Sequence, residues 1–164
     1  MEQLQPVATN RTRPAAAPGP ALPSTPLVTS VGFVISKAAQ ALREAFDARL
    51  RPLGIISRHY GILATVEDLG PSSQEALGQI LQLDNVTTVL LVDHLEYIGF
   101  ARRRREAADV LRVLVEITPE GQNVVKQGRK MAQQVEEQFA APLTAAERTK
   151  LYDWTLRLLQ ANSR

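Results

Sequence analysis

The segment from Ser72 to Ile117 constrains the fold more than any other part of the chain. It opens with a short helical pattern from Ser73 to about Leu81, and a longer one runs from Asn85 to about Ile98. The turn Gln82-Leu83-Asp84 separates the two patterns, and Gly99 ends the second. Two helices joined by so short a turn are typical of a helix-turn-helix.

A basic hairpin is predicted directly after these helices. Arg102, Arg103, Arg104 and Arg105 follow in sequence, and the segment from Arg112 to Ile117 alternates like a half-buried strand. In a winged helix-turn-helix the second helix enters the major groove of a duplex, while the hairpin reaches the backbone or the minor groove. The segment therefore predicts a protein that binds double-stranded DNA.

Composition supports one ordinary domain with a local positive patch. The 164 residues are 45% hydrophobic and include no cysteine, which excludes disulfides, thiolate metal sites and thiol-based redox sensing. The net charge is only +2. Residues 101–112, however, hold five arginines against Glu106 and Asp109, an excess of +3. A local patch on a near-neutral protein suits docking on phosphates.

Catalytic and metal-binding patterns are not recognisable. His59 and His94 are the two histidines, and no cluster of His, Asp and Glu residues accompanies them at ligand spacing. We also find no nucleophile–base pair, no glycine-rich phosphate loop and no paired catalytic carboxylates. We therefore expect no enzymatic activity, no metal and no cofactor.

Residues 1–28 are rich in Pro, Ala and Thr and have few large apolar groups to bury, so we expect a flexible arm. Arg11 and Arg13 in this arm could touch DNA or a partner, or the arm could be a plain tail. The sequence shows neither a secretory signal nor an apolar run of about 18–20 residues, which predicts a cytoplasmic protein without a membrane span.

Helical patterns flank the winged segment on both sides. Val31 to Leu50 forms the first, and Ser57 is placed as the N-cap of the second. Ser72 and Glu75 form a possible capping box, and Asp84 is placed to cap the following helix.

After the hairpin, Thr118-Pro119-Glu120 is a strong helix start, and the helix it begins extends to Phe139. A second capping box, from Thr144 to Glu147, begins a last helix that carries Trp154 in its apolar stripe. The central unit is too small to bury all these stripes, which favours a homodimer built from the terminal helices.

The predicted fold is therefore mainly α with a small β wing. A winged helix-turn-helix, at about residues 55–118, would be flanked by dimerisation helices at about 30–51 and 119–162. Together they make one domain over residues 29–164.

Several short motifs, in this order, resemble the MarR (multiple antibiotic resistance regulator) family. The matching pieces are Gly70-Pro71-Ser72-Ser73-Gln74, Leu83-Asp84, Leu91-Val92-Asp93-His94-Leu95-Glu96, Gly99-Phe100 and Leu114-Val115-Glu116-Ile117-Thr118-Pro119-Glu120-Gly121. The resemblance covers about residues 30 to 160. It implies a homodimeric transcriptional regulator, often a repressor that releases DNA when a small aromatic or phenolic ligand binds.

The sequence departs from the family pattern at two positions. The family wing commonly carries Asp-x-Arg with the arginine in the minor groove, but here Asp109 is followed by Leu111, and Arg112 lies one residue further on. Such a shift would turn Arg112 to the other strand face. In the recognition helix, Leu90 stands where the family often has a basic residue.

The second helix of the motif has two distinct faces. Thr88, Leu91, Val92, Leu95 and Ile98 share the predicted core face. The predicted outer face is unusually apolar, and its candidate DNA contacts are Asn85, Val86, Thr87, Val89 and Leu90. Either the apolar side chains pack on thymine methyl groups, or the helix has become a protein-interaction surface without specific DNA recognition.

Phosphate contacts are predicted from the wing and from the start of the first helix of the motif. Arg102 to Arg105 and Arg112 suit the DNA backbone, although a solvated hairpin would show the same run. Arg103 and Arg105 should share one strand face, and Arg102 and Arg104 the other. Ser72, Ser73 and Gln74 lie at a helix N-terminus, which suits a phosphate or simple capping.

A ligand site is predicted from the family resemblance alone. The resemblance places His59 and Tyr60 near a pocket between the dimerisation helices and the winged unit. Ordinary packing explains these two side chains equally well.

Overall fold

The computed structural model describes residues 30–105 and 113–162. Its α-helices are α1 (Val31–Leu50), α2 (Ser57–Leu69), α3 (Gln74–Leu81), α4 (Asn85–Tyr97), α5 (Pro119–Phe139) and α6 (Ala145–Asn162). Its strands are β1 (Ser72–Ser73), β2 (Ala101–Arg105) and β3 (Val113–Ile117), and a 3-10 turn, Arg51–Leu53, follows α1. The predicted fold class, mainly α with a small β wing, is confirmed.

The described residues divide into two units between Ser36 and Lys37. In the first unit the described residues are the start of α1, where Val31, Val34 and Ile35 are exposed. Within the described ranges no helix combines the length and the apolar character that crossing a bilayer requires. Some predictions concern residues outside these ranges, namely the arm at 1–28 with Arg11 and Arg13, and the wing residues Glu106, Asp109, Leu111 and Arg112.

Three of the predicted helix starts are confirmed by their capping hydrogen bonds. Asp84 Oδ1 accepts the backbone N–H of Thr87 at 2.8 Å, and Thr118 Oγ1 accepts that of Gly121 at 3.1 Å. At the start of α6, the N–H of Thr144 donates to Glu147 Oε2 at 2.8 Å, as a capping box requires. These bonds satisfy donors that the first helical turn leaves without partners.

The predicted caps of α2 and α3 were wrong. Ser73, not Ser72, caps α3 by accepting the Ala76 N–H at 3.2 Å, because β1 keeps both serines extended. Glu75 is already inside the helix. At α2 the N-cap is Ile56, and Ser57 is the first helical residue.

The start of α2 is instead satisfied by two other side chains. His59 Nδ1 accepts the Ile56 N–H at 3.2 Å. Asp47 Oδ1, on α1, accepts the Ser57 N–H at 2.6 Å. Serine is a common N-cap residue, so the prediction of Ser57 followed from the local sequence. The carboxylate that accepts the Ser57 N–H comes instead from another helix, and local sequence does not reveal such a partner.

A single apolar core joins α2, α3, α4 and α5 to the sheet. The sheet has the order β1-β3-β2 with both pairs antiparallel, so β3 is central. Val115 of β3 is completely buried, opposite Arg103 on one side and Ser72 on the other. The core consists of Leu50, Ile55, Ile62, Leu63, Val66, Leu77, Leu91, Val92, Leu95, Ala101, Val115, Val124 and Val125.

A tight junction connects the end of α4 to the start of α5. Gly99 has a φ of 79°, a left-handed conformation that ends α4 without strain because glycine has no Cβ. Its carbonyl accepts a hydrogen bond from Thr118 Oγ1 at 2.7 Å, and the Phe100 carbonyl accepts the Thr118 N–H at 3.1 Å. A Cβ on Gly121 would overlap the Phe100 carbonyl oxygen and lie 2.8 Å from Ile117 Cγ1. Close backbone contact therefore requires glycine at position 121.

We expect Gly121→Ala to destabilise the protein, because backbone and not a flexible side chain must move to make room. Overpacking of this kind costs about 2 kcal/mol, which corresponds to a fall of roughly 4–8 °C in Tm. Thermal unfolding followed by circular dichroism measures the effect.

Gly61→Ala is the matched control. An added Cβ there would meet Leu81 Cδ2 at 3.5 Å, an ordinary contact, and alanine favours a helix interior. Its Tm should stay equal or rise. A Gly121→Ala protein as stable as wild type would show that the junction is not close-packed.

Candidate nucleic-acid interface

The inner face of α4 is fixed by the core. Thr88, Leu91, Val92 and Leu95 are buried, as the helical spacing predicts, and Ile98 follows the helix as its partly buried C-cap. Thr88 is completely buried, and its hydroxyl donates to the Asp84 carbonyl at 2.9 Å. Because successive turns are held in this way, the orientation of the outer face is determined.

The outer face of α4 exposes large apolar side chains. Val86 and Leu90 lie one turn apart and are 68% and 63% exposed, and Tyr97 is exposed at the end of the helix. Val89 is partly buried. A surface this apolar, on a helix this firmly held, indicates a contact that the described residues do not supply.

The two polar candidate residues at the start of α4 lie in different surroundings. Asn85 is exposed, whereas the Thr87 hydroxyl donates to Asp84 Oδ2 at 2.6 Å. This hydrogen bond, together with that of the Thr87 N–H, holds the pKa of Asp84 below its usual value. Asp84 is therefore a charged cap, and Thr87 helps to hold it.

The three candidate residues at the start of α3 are also engaged within the fold. Ser73 is the cap, and Ser72 Oγ donates to the Gly70 carbonyl at 3.0 Å. Gln74 Oε1 accepts a hydrogen bond from Arg103 Nε at 3.2 Å, and the Gln74 amide nitrogen is buried without a partner in the described structure. Gln74 is thus directed towards Arg103.

Arg102 and Arg104 share the outer face of the wing, as strand alternation predicts. Both reach Glu116 of β3, Arg102 Nη2 at 2.9 Å and Arg104 Nε at 3.5 Å. Their side chains remain 65% and 46% exposed, and Arg105 is exposed at the end of β2. Two guanidinium groups against one carboxylate leave this face positively charged.

Arg103 points the opposite way and holds the wing to both helices of the motif. Its Nη2 lies 2.5 Å from Asp93 Oδ1, and its Nη1 lies 2.6 Å from Glu96 Oε2. The backbone N–H of Arg103 also donates to Glu96 Oε1 at 2.9 Å. With the bond to Gln74, one side chain on β2 ties α3, α4 and the wing together.

The pKa values around Arg103 agree with this geometry. Burial by itself would lower the pKa of Arg103, but the hydrogen bonds and charges of Asp93 and Glu96 outweigh it, so the net direction is upward. The backbone N–H of Arg103, more than its guanidinium, lowers the pKa of Glu96 below 4.5. Since this pKa is lowered on folding, Glu96 stabilises the fold above about pH 4.5, and the contribution is lost as the pH falls below that value.

The sequence pattern did not reveal this role for Arg103, although a signal was present. Asp93 and Glu96 lie three residues apart on one face of α4, and alternation along β2 separates Arg103 from Arg102 and Arg104. Two carboxylates so placed next to an arginine-rich strand identify the inward-facing arginine.

His59 and Tyr60 lie on α2, in different surroundings. The Tyr60 ring packs edge-on against Phe46 of α1, with 5.2 Å between ring centroids, and lies over Gly128 of α5. Burial raises its pKa. The imidazole of His59 lies beside that of His94 on α4.

A cavity of about 320 Å³ lies among α1, α2 and α5. Its lining residues are Ala39, Leu42, Arg43, Phe46, Ser57, Ala132, Val135 and Glu136. Neither His59 nor Tyr60 lines it, but Phe46 joins the cavity to the Tyr60 ring. In the described ranges no three His, Cys, Asp or Glu side chains are grouped as a metal site would need.

Comparison with known proteins gives a consistent result. No family model matches the sequence. The chain is 27% identical over 143 residues to the HTH-type transcriptional repressor NicR from Pseudomonas putida, covering 86% of this chain and 89% of NicR.

Two solved structures share the architecture. One is a mutant of MarR from E. coli complexed with operator DNA (TM-score 0.73, 22% identity, 80% of this chain and 95% of that one). The other is BpsR from Bordetella bronchiseptica, whose DNA binding is regulated by 6-hydroxynicotinic acid (TM-score 0.74, 21% identity, 89% of this chain and 100% of that one).

The chain has the winged-helix fold of these MarR-type regulators. The MarR-type proteins it resembles regulate transcription and are not enzymes, so the expectation of no enzymatic activity is confirmed. The helix-turn-helix of a MarR-type protein corresponds here to α3 and α4, and the wing to β2 and β3. The family resemblance inferred from the short motifs is therefore confirmed as well.

We expect Arg103→Ala to destabilise the protein by about 2 kcal/mol, the usual scale for losing hydrogen bonds between charged groups in a partly buried site. Arg103→Lys should recover only part of the loss, because one ammonium cannot bind two carboxylates and a carboxamide in the geometry of a guanidinium. Urea unfolding at pH 7 measures both.

Arg104→Ala is the control, since its side chain is half exposed and reaches Glu116 only at 3.5 Å. Exposed pairs of this kind contribute little, so its unfolding midpoint should match that of wild type. Equal midpoints for Arg103→Ala and Arg104→Ala would show that Arg103 does not hold the wing.

Proposed function

We propose that the protein is a homodimeric repressor that binds specific DNA sequences through α4 and the wing and is released by a small aromatic or phenolic ligand. The observation that carries the proposal is the exposed apolar face of α4, Val86 and Leu90, on the same motif as the arginines of β2. As bacterial DNA lies in the cytoplasm, that is the proposed compartment.

Sequence recognition is assigned to the outer face of α4. Val86 and Leu90 are apolar and exposed, and the thymine methyl is the apolar group that a major groove offers. Asn85, exposed at the start of the helix, can hydrogen-bond to an adenine edge. Thr87 and Val89, which are less exposed, complete the proposed contact surface.

Phosphate contacts are assigned to the wing arginines other than Arg103. Arg102, Arg104 and Arg105 are exposed, whereas two carboxylates compensate the charge of Arg103. Arg103 would then act on DNA indirectly, by fixing the wing relative to α4. Ser72 and Ser73 are proposed to lie beside a phosphate at the N-terminus of α3, although their hydroxyls make hydrogen bonds within the fold and both residues pair with β3.

Dimerisation is proposed because α6 buries none of its residues within the described structure. Leu151, Trp154 and Leu158 follow each other at helical spacing and are all exposed, as is Phe139 at the end of α5. A groove of about 550 Å³ between α5 and α6 has Phe139, Leu151 and Tyr152 in its lining. A second copy of the chain would cover such a continuous apolar face.

The effector is assigned to the 320 Å³ cavity among α1, α2 and α5. Phe46 offers a ring face, Leu42 and Val135 offer apolar walls, and Arg43 offers a positive group. This combination suits a small aromatic molecule with a hydroxyl or carboxylate. The comparisons support an effector of this kind, since BpsR responds to 6-hydroxynicotinic acid. The name of NicR, a repressor, supports the proposed direction of regulation.

Selection from a randomised duplex library should return an enriched motif with a thymine opposite Val86 or Leu90. Replacing that thymine by uracil removes only the methyl group and should cost on the order of 1 kcal/mol, about fivefold in Kd. Leu90→Ala should bind both duplexes alike, because the partner of the methyl group is gone. Fluorescence anisotropy with matched duplexes measures each Kd.

Arg104→Ala provides the contrasting control. It should weaken binding to all duplexes alike and reduce the log–log salt slope by about 0.9 for one lost phosphate contact, while keeping the thymine preference. A selection that returns no motif would contradict sequence recognition by α4, and its apolar face would then be a protein-interaction surface.

Leu158→Asp should convert the dimer into a monomer, because a carboxylate cannot be buried unpaired in an apolar interface. Sedimentation should give twice the 18.0 kDa chain mass for wild type and the single mass for the variant. The one tryptophan, Trp154, lies on the same face, so its emission should shift to longer wavelength in the monomer.

Gln160→Asp adds the same charge on the opposite side of α6 and should leave the dimer intact. A wild-type protein that sediments as a monomer at micromolar concentration would refute the dimer.

A further inference from the structure

The imidazole rings of the two histidines of the chain lie next to each other in the winged unit. His59 is in the first turn of α2, His94 is on α4, and their ring centroids are 4.7 Å apart with the planes inclined by 46°. The outer face of α4 is the proposed DNA-contacting surface. This pair therefore joins the recognition helix to the start of α2.

Hydrogen bonds define the protonation state that this arrangement needs. His59 Nδ1 accepts the Ile56 N–H at 3.2 Å, so Nδ1 carries no proton. His94 Nε2 lies 2.9 Å from the Gly54 carbonyl oxygen, so this nitrogen carries a hydrogen and donates it. His94 thereby ties α4 to the α1–α2 linker, and His59 caps the helix that the linker enters.

Adding a proton to His59 would oppose this arrangement in three ways. An imidazolium has N–H groups on both nitrogens, so Nδ1 could no longer cap α2. The charge would lie at a helix N-terminus, where the positive end of the helix dipole disfavours cations. The charge would also lie close to the ring of His94, with strong repulsion whenever that ring is protonated.

The other charged groups nearby do not compensate for such a proton. Asp47 of α1 faces His59, but its carboxylate is already engaged with the Ser57 N–H. Arg51 in the linker and Arg58 on α2 are exposed cations. On α4, Asp93 and Glu96 flank His94 in sequence, and both are held by Arg103.

The pKa of His59 agrees with the geometry. Burial and, next, the charge of His94 lower it from 6.5 to about 4, against a smaller opposing effect of Asp47. The closed arrangement therefore keeps His59 neutral at any pH well above 4.

We propose that the His59–His94 pair is a proton-sensitive latch that holds α4 in its DNA-binding position while His59 is neutral and releases it when His59 takes up a proton. The latch rests on the proposed function, since its output is DNA affinity. DNA affinity would then depend on pH as well as on the effector. The two sites are separate, because the lining of the effector cavity does not include either histidine.

The direction of the effect follows from linkage. In an opened arrangement His59 regains its ordinary pKa of 6.5, so the open state binds more protons between pH 6.5 and about 4. Opening is therefore favoured as the pH falls through this window. At pH 5 the opening equilibrium would shift by about 20-fold relative to pH 7, which is the upper limit for the loss of DNA affinity.

The test compares wild type with His59→Gln at pH 7.5, 6 and 5 and constant salt, on the duplex returned by the selection. The Gln carboxamide oxygen can accept the Ile56 N–H as in a capping box, and it does not titrate. We expect the wild-type Kd to rise several-fold towards pH 5, and the Kd of the variant to stay nearly constant. Identical pH profiles for the two proteins would overturn the latch.

An independent measurement on the free wild-type protein separates failure of the latch from failure of the proposed function. As the chain has two histidines, imidazole NMR titration reports this pair alone, and His59→Gln or His94→Gln assigns the signals. We expect the His59 ring to take up its proton below pH 6.5, over the same pH range in which the DNA affinity falls, and the backbone amides of α4 to shift together with its protonation.

Amides of α4 that do not respond to His59 would overturn the latch, whether or not the protein binds DNA. If instead no duplex binds at any pH while α4 still responds, the DNA-binding function fails and the conformational coupling stands. If His59→Gln does not fold, the titration still tests the latch, because it needs only the wild-type protein.

Discussion

The guanidinium of Arg103 is the contact on which the arrangement of the winged unit depends. A two-stranded hairpin has little stability by itself and needs packing against other elements. Here one side chain of β2 reaches two carboxylates on α4 and a carboxamide on α3. The wing therefore keeps a defined position relative to α4, and the proposed simultaneous contact with major groove and backbone needs this relation to be fixed.

This use of Arg103 divides the arginine run into two roles. The inward arginine has its charge compensated by Asp93 and Glu96 and belongs to the fold. Its neighbours on the other strand face share a single carboxylate, Glu116, and remain open to solvent. The run therefore leaves fewer uncompensated positive charges on the surface than it contains, and the alternation of a strand decides which arginines carry them.

The glycine junction after α4 and the histidine pair in the last turn of α4 both act on the C-terminal end of this helix. Gly99 and Gly121 allow α4, β2 and α5 to meet with backbone in contact, which leaves little room for local adjustment. The contact of His94 with the Gly54 carbonyl is, by contrast, a single hydrogen bond between side chain and backbone.

Much of this protein was determined by local sequence. Helical spacing placed α1 and the buried face of α4, Asp84, Thr118 and Thr144 marked helix starts, and the arginine run with the alternating segment after it marked the wing. These features depend on residues within one or two turns of each other, so a pattern in the chain is enough to predict them.

Only the tertiary structure decided which side chains meet across elements. It assigned the start of α2 to Asp47 and His59 instead of Ser57, directed Arg103 to α4, placed the cavity beside Phe46, and brought His59 against His94. Each of these contacts joins residues that are distant in sequence or on different elements. The physical reason is that hydrogen bonds and ion pairs act over a few ångströms in space, and the packing of the whole core determines which groups come within that range.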